Sequence, residues 1–282
     1  LLTREIETGL PAGMSALAFN TRRPVFQDPR VRRGLLLLFN FEWVNKTLYH
    51  GLYKRTESFF ERSYLSSAGK TADARERELL APFPDAVLPE VMEGHYRMPV
   101  SDGTGHNREN AREAFRLFSE AGYVIDGGRL VHKDTREPLG FEILAGSSVQ
   151  QRLIASYVSD LAKLGIAARL RVVDSSQYQS RLKDYDYDMI QTAWPSSLSP
   201  GNEQVFRWDS RNADVPGLEA EGDEDFTSAV RALDRVLLSG HYVIPLFHAS
   251  RQWVANWKQV QGPKTFSLWG YNLDTWWIDG QK

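Results

Sequence analysis

The residues best suited to contact a bound molecule lie in one stretch, residues 194–204, directly after a strand-like run over residues 187–193. The stretch combines one aromatic ring with three serine hydroxyls, two prolines and a glycine. Trp194 offers a flat face for stacking, and Ser196 and Ser197 offer hydroxyls that donate and accept hydrogen bonds. Two interpretations stay open here: a ligand-contacting loop, or a turn in which Trp194 is core and the serines only shape the backbone.

Ser199 and Pro200 predict that a helix begins at the end of this loop. Serine is favoured as an N-cap, and proline is favoured as the first helical residue. The free backbone N–H groups of such a helix could receive an anionic group of a ligand.

A second candidate for chemistry is the pair Asp186 and Asp188 at the start of the same predicted strand. Residues two apart on a strand share a face, as the paired carboxylates of an acid–base hydrolase would. Acidic residues that simply cap and solubilise the start of a strand are the favoured interpretation. The carboxylate-dependent hydrolase is therefore kept as an alternative hypothesis.

The other chemistry-bearing residue types form no catalytic or metal-binding pattern. The six histidines lack both the i, i+4 spacing and any metal signature. The chain has no cysteine, which excludes thiolate nucleophiles, disulfides and cysteine-ligated zinc. There is no G-x-S-x-G motif and no glycine-rich phosphate loop between a strand and a helix. We therefore expect no catalytic residue, no metal and no cofactor.

Composition indicates a folded protein without a nucleic-acid surface. Of the 282 residues, 42% are hydrophobic, which is enough for a sizeable core. Lysine and arginine number 34 against 36 aspartate and glutamate, a net charge of −2, so no basic excess points to nucleic acid or an anionic membrane. The longest apolar run, residues 35–39, is far too short to span a bilayer.

Strands and helices on either side of the loop must position it. The sequence patterns predict that strands and helices alternate along the chain, which indicates an α/β protein. Asp28 and Pro29 form a strong helix start, and Gly127 and Gly128 form a hairpin turn. Residues 56–106 are predicted to be irregular, and the aromatic tail, residues 266–278, is predicted to pack back onto an earlier part of the fold. Strands are predicted at 13–21, 139–145, 166–173, 187–193, 243–247 and 252–257, and helices at 28–38, 41–49, 107–121, 149–164, 175–182 and 223–238.

Six segments, in order along nearly the whole chain, carry a resemblance to a known family. Each is weakly specific alone, and their order makes them specific together. The chain resembles the substrate-binding proteins of peptide-type ABC importers, extracellular solute-binding protein family 5, and in detail its YejA-like branch. The segments are NTRRPxFxDxRVR (20–32), RTxSFF (55–60), DYDM (186–189), Trp194 with SLSPGNEQ (197–204), LDRVL (233–237) and YVIP (242–245).

This resemblance implies an α/β, clam-shell fold of the bilobed type II periplasmic-binding-protein class, of which the chain is the C-terminal half. Residues 1–57 would end the first lobe, residues 58–249 would form the second lobe, and residues 250–282 would return to the first lobe. The family members are non-enzymatic receptors. They would be monomers, periplasmic or lipid-anchored outside the cytoplasm, that capture oligopeptides or peptide-like compounds and deliver them to an ABC permease in the inner membrane.

The resemblance also implies a ligand site around the loop. In relatives an aromatic residue matches Trp194, an aspartate three residues beyond it holds the α-ammonium group of the peptide, and a pocket arginine approximately matches Arg181. Here the aspartate position is Ser197, so Glu203 or a residue outside this chain would replace the anchor, or the ligand has a blocked amino end. The expected ligand-binding residues are Phe59, Phe60, Arg181, Trp194, Ser196, Ser197, Leu198, Ser199 and Asn202.

The missing anchor leaves the ligand class open. An opine, a sugar conjugate or a chelated metal is the alternative to a peptide within the same receptor class.

Overall fold

The protein is a mixed α/β structure, here a computed structural model that describes residues 1–201, 203–208 and 226–278. Its strands are β1 (Leu2–Glu7), β2 (Met14–Phe19), β3 (Tyr53–Arg55), β4 (Tyr123–Asp126), β5 (Arg129–His132), β6 (Gly140–Ala145), β7 (Ala167–Val172), β8 (Met189–Trp194), β9 (Val243–Pro245), β10 (Phe247–Ala249), β11 (Arg251–Asn256), β12 (Val260–Gln261) and β13 (Trp277–Ile278). Its α-helices are α1 (Pro29–Leu37), α2 (Phe41–Leu48), α3 (Ala74–Leu80), α4 (Pro89–Met92), α5 (Arg108–Glu120), α6 (Ser148–Lys163), α7 (Ser175–Lys183), α8 (Glu203–Trp208) and α9 (Phe226–Ser239).

A five-stranded sheet with the order β7-β6-β8-β2-β9 forms the centre of the fold. β6 is parallel to both β7 and β8, whereas β2 is antiparallel to β8 and β9. The carboxyl ends of β6, β7, β8 and β9 therefore meet at one edge of the sheet, together with the amino end of β2. Ile143 and Leu144 in β6 and Met189 in β8 are almost completely buried, so the core lies along these central strands.

The predicted helix start at Asp28 is present in the structure, and contacts tie this helix to its neighbours. The Asp28 carboxylate accepts a hydrogen bond from the Arg30 amide at 2.8 Å, and Pro29 occupies the first turn of α1, which confirms the predicted helix start. α1 packs against α5, where Gly34 leaves room for the Phe118 ring. The Tyr157 hydroxyl of α6 donates to the Leu35 carbonyl of α1 at 2.7 Å. The first helix is thereby tied to the body of the sheet.

A smaller antiparallel part lies outside this core. β1 pairs with β11 along six residues, and β12 pairs with β13. The aromatic tail returns onto these strands, as predicted: the Gly9 amide donates to the Leu268 carbonyl at 2.8 Å, and the Arg4 guanidinium lies 5.1 Å from the Trp276 ring. Trp269 is 66% exposed and Trp277 is 54% exposed, so this part presents apolar surface outward.

Two short crossover segments, residues 8–13 and 246–250, join the smaller part to the central sheet. The sequence-based division placed everything up to residue 57 in the first lobe. However, β2 is hydrogen-bonded between β8 and β9, and Val31 and Leu35 of α1 share one core with Ile143 of β6. We therefore propose that the boundaries lie in the two crossover segments, and that the described residues between 14 and 245 form one body.

Two predicted elements in this part of the chain differ from the structure, and a third is not tested. The predicted strand 243–247 is split into β9 and β10, because the chain leaves β2 after the Leu246 amide bonds to the Ser15 carbonyl and then pairs with β3. The predicted irregular region 56–106 contains α3, with Asp73 as its N-cap, and the short α4. The predicted start of the last helix at Asp223 lies outside the described residues.

Gly13 ends the first crossover segment and meets the beginning of the candidate loop. Its φ of +65° lies in the left-handed region, which L side chains rarely adopt. A Cβ atom added there would lie 2.5 Å from the Trp194 carbonyl oxygen and 2.9 Å from the Ser196 amide nitrogen. Only glycine permits this close approach of the two backbones.

We expect the Gly13→Ala substitution to destabilise the full-length protein by roughly 3 kcal/mol. About 1 kcal/mol of this reflects the left-handed conformation, and about 2 kcal/mol reflects the forced shift of the Trp194 backbone. Urea unfolding measures the change.

Gly127→Ala is the matched control, because Gly127 has a φ of +54° but no atom lies within 4 Å of the added Cβ position. It should cost only about 1 kcal/mol. Equal losses for the two variants would show that the close approach to Trp194 has no energetic consequence.

Candidate functional site

Three aromatic side chains from separate parts of the chain meet at the end of β8. We call Phe59, Trp194 and Trp208 the aromatic cluster. The ring centroids of Trp194 and Trp208 are 5.8 Å apart, and the Phe59 ring lies 5.9 Å from Trp194 and 5.3 Å from Trp208. These distances are typical of favourable aromatic contacts. Phe59 is buried while both tryptophans are half-buried, so the cluster has a fixed back and an accessible front.

The cluster lies at the sheet edge where ligands bind in open α/β sheets, beyond the carboxyl ends of the parallel strands. β8 ends at Trp194, which is paired with Met14, and the next residue, Pro195, has no N–H for a further ladder bond. The chain then forms an exposed loop of Ser197, Leu198 and Ser199. This loop stands beside the crossover segments, because the amino end of β2 is at the same edge.

The predicted helix start at Ser199 and Pro200 is wrong. α8 begins at Glu203, and the Glu203 carboxylate accepts from the Gly201 amide at 2.9 Å and from the Gln204 side-chain amide at 3.0 Å. An acidic group thus occupies the position at which an anionic ligand group was expected. Asn202 lies outside the described residues.

The segment of residues 58–67, which is buried at both ends, supports the cluster and the loop from behind. Its Phe59 ring contacts both tryptophans, whereas Phe60, predicted as a ligand contact, is 2% exposed and belongs to the core. The Tyr64 hydroxyl donates to the Leu198 carbonyl at 3.3 Å. Tyr64 and Trp208 were not among the predicted site residues. The density of aromatic residues along the chain was the only sequence signal for either, and it does not single them out.

Arg181 is not brought to the aromatic cluster. Its Nε donates to the Asp186 carbonyl at 2.8 Å, and its Nη2 lies 3.1 Å from a Glu142 carboxylate oxygen. These contacts lie at the start of β8, about 16 Å along the strand from Trp194 at a rise of about 3.3 Å per residue. Arg181 therefore connects α7 to β6 and β8 at the opposite edge of the sheet.

Asp186 and Asp188 lie in the same ion-pair network. Arg23 contacts both carboxylates, at 3.1 Å to Asp186 and 3.2 Å to Asp188. The second Asp188 oxygen accepts from the Glu142 amide at 2.9 Å. Each carboxylate thus has a structural partner, and the hydrolase alternative gains no support from this geometry.

A cavity of about 380 Å³ adjoins the crossover segments. Thr8, Leu10, Arg62, His248 and Gln252 are among the residues that line it. Arg62 donates to the Thr8 carbonyl, and burial lowers the pKa of His248 to about 4, so this imidazole is neutral at neutral pH. Its lining includes residues 10–12, which directly precede Gly13. The cavity therefore lies on the loop side of the sheet.

Another cavity, of about 230 Å³, lies between the ends of α1, α5 and α6 and contains no cluster residue. In the part of the chain that the structure describes, no group of three or more His, Asp or Glu side chains could hold a metal ion. None of the described helices is long and apolar enough to cross a membrane.

Comparison with known proteins gives consistent matches. Residues 3–214 match the family model described as bacterial extracellular solute-binding proteins, family 5 middle. The chain is 48% identical to a putative binding protein of Brucella melitensis, over 98% of this chain and 48% of that protein. It is 41% identical to the peptidoglycan-binding protein YepA of Agrobacterium fabrum, over 95% of this chain and 46% of that protein. The chain thus spans about half the length of these relatives.

The fold is shared with solved structures of binding proteins. The oligopeptide-binding protein AppA from Bacillus subtilis, solved with a nonapeptide, superposes with a TM-score of 0.62 over 99% of this chain and 53% of that chain, at 15% identity. This likeness identifies the type II periplasmic-binding-protein fold. Together with the match over residues 3–214, it shows that the chain belongs to family 5 of the bacterial extracellular solute-binding proteins, a family of substrate-binding receptors.

Proposed function

We propose that this chain forms the second lobe and the closing part of the first lobe of an ABC-importer receptor that captures oligopeptides or peptide-like compounds between two lobes and delivers them to a membrane permease. The observation that carries the proposal is the aromatic cluster at the end of β8, directly followed by the exposed loop of residues 197–199. The 41% identity to a relative named as peptidoglycan-binding supports a peptide-like ligand.

The aromatic cluster and the exposed loop form one wall of the proposed site. The chemistry of this wall suits an extended ligand whose side chains vary. Trp194 and Trp208 present accessible ring faces that can pack against many side chains. The hydroxyls of Ser197 and Ser199 are exposed and can exchange donor and acceptor roles, so they can pair with peptide groups directly or through water. A wall of this kind binds the shape and backbone of a peptide more than one particular side chain.

The charge of the loop bears on the amino end of the ligand. Residues 194–201 contain no charged side chain, and the nearby Glu203 carboxylate is bonded within its own loop. A free ammonium group would therefore find no anionic partner among residues 194–201. We propose ligands whose amino end is blocked, such as peptidoglycan stem peptides, in which the first amino group is part of an amide bond.

The whole protein would act as a monomer, periplasmic or lipid-anchored, with the permease as its membrane partner. Closure would be a movement about the two crossover segments, favoured by a ligand that contacts both lobes. No catalytic step is needed for this role, and no cofactor is part of it.

We expect Trp194→Leu to weaken binding of an N-acetylated tetrapeptide to the full-length protein by at least about tenfold. Removing a large ring from a central contact typically costs about 2 kcal/mol of binding energy. Isothermal titration calorimetry measures the affinity.

Phe83→Leu is the control, because Phe83 is 62% exposed and lies at the end of α3. It should leave the affinity within about twofold. Equal affinities for Trp194→Leu and the unmodified protein would contradict a ligand-facing role for Trp194. Tight binding of an opine, a sugar conjugate or a metal chelate in place of any peptide would contradict the peptide assignment and retain the receptor class.

We expect Ser197→Asp to improve binding of free-amino peptides relative to N-acetylated peptides by about tenfold. The new carboxylate would stand where relatives hold the ammonium group, and a charge-assisted hydrogen bond contributes about 1.5–3 kcal/mol. Competition calorimetry with the two peptide forms measures the ratio.

Ser119→Asp adds the same charge to an exposed position of α5 and should leave the ratio unchanged. If Ser197→Asp also leaves the ratio unchanged, Ser197 does not face the amino end of the ligand.

A further inference from the structure

The carboxylate of Asp234 is buried and belongs neither to the aromatic cluster nor to the exposed loop. Asp234 lies in α9 and is completely buried. Its Oδ1 accepts from the Phe59 amide at 2.9 Å. Its Oδ2 accepts from the Ser58 hydroxyl at 2.9 Å, from the Ser67 amide at 2.9 Å and from the Ser67 hydroxyl at 2.7 Å. One side chain thus binds both ends of the segment 58–67.

All four donors are neutral groups, and all four belong to the segment 58–67. Burying a carboxylate is costly, and burial raises the pKa of Asp234. The four hydrogen bonds offset part of that cost only while the segment keeps its conformation. A movement of the segment would therefore take hydrogen bonds away from the buried Asp234 carboxylate.

The segment 58–67, which Asp234 holds in place, contacts the candidate site directly. Phe59, whose amide is bonded to Asp234, packs its ring against Trp194 and Trp208. The Tyr64 hydroxyl reaches the Leu198 carbonyl of the exposed loop. The segment also touches the first crossover, where the Ala12 amide donates to the Glu61 carbonyl at 2.9 Å.

We propose that Asp234 is a positioning residue of the binding site: its carboxylate holds the segment 58–67 so that the Phe59 ring fixes Trp194 and Trp208 in a binding-competent arrangement. This inference rests on the proposed function for its effect on affinity. Its effect on the ring arrangement is independent of any ligand.

The Asp234→Asn variant tests this role, because the asparagine side chain has nearly the same shape as the aspartate side chain. An asparagine presents one oxygen and one NH₂ group. If the NH₂ group replaces Oδ1 it faces the Phe59 amide, and if it replaces Oδ2 it faces the Ser67 amide. In either orientation the NH₂ group faces a backbone N–H donor, so at least one hydrogen bond that holds the segment is lost.

The first readout is ¹⁹F NMR of the ligand-free, full-length protein labelled with 5-fluorotryptophan. The Trp194 and Trp208 resonances are assigned by their loss in Trp194→Phe and Trp208→Phe. We expect Asp234→Asn to shift or broaden both resonances. If Asp234→Asn does not fold, Ser67→Ala removes a single hydroxyl donor and should itself shift or broaden both resonances relative to the unmodified protein.

Asn20→Asp is the matched control. It exchanges an amide for a carboxylate at another buried side chain, which bonds to the Tyr185 and Tyr187 carbonyls beside the start of β8, the end far from Trp194. It should lower stability and leave both resonances in place. Unchanged resonances in Asp234→Asn, or equal changes in Asn20→Asp, would overturn the positioning role.

The second readout is affinity for the N-acetylated tetrapeptide in a double-mutant cycle. Asp234→Asn should weaken binding by about tenfold in the unmodified background and by less than about twofold in a Phe59→Leu background, because the effect passes through the Phe59 ring. Additive effects would overturn that route. If the unmodified protein binds no peptide, the proposed function fails, and the ¹⁹F comparison still decides the positioning role.

Discussion

The antiparallel pairing of β2 with β8 is the interaction on which the rest of the structure depends. Six residue pairs, from Met14 with Trp194 to Phe19 with Met189, join the start of the chain to β8. β2 also pairs with β9, so the same strand connects residues 243–245 as well. Because β2 follows directly on a crossover segment, this pairing places both crossovers and the Trp194 loop at one edge of the sheet.

The two ends of that pairing have different chemistry. At one end Asn20 and Arg23 bind the backbone and carboxylates that precede β8, and Arg181 completes the network. At the other end Gly13 lets the backbone approach Trp194, and aromatic rings replace the charges. Charged groups fasten one edge, while partly accessible tryptophan rings and exposed serine hydroxyls lie at the other. The residues predicted for a single site are divided between these edges.

Much of the fold was predictable because the signals are local. The Asp28 cap, the hairpin turn at Gly127 and the helices over residues 107–121 and 149–164 follow from capping, turn chemistry and periodicity within a few residues. The ordered motifs also identified the family. The strand at 243–247 divides because distant partners decide the outcome: its halves pair with β2 and β3. The helix expected at Pro200 starts later, at Glu203.

The sequence by itself determined the class of the protein: an α/β binding protein with a stiff, uncharged, aromatic and hydroxyl loop after a strand, and with no cysteine. Only the tertiary structure decided which residues accompany that loop. Phe59 reaches Trp194, and Tyr64 reaches Leu198, through contacts between segments more than a hundred residues apart. Trp208 joins them from α8, and Arg181 lies away from them by the length of a strand. No local pattern encodes such distances, because they depend on strand order and on buried polar bonds such as those of Asp234.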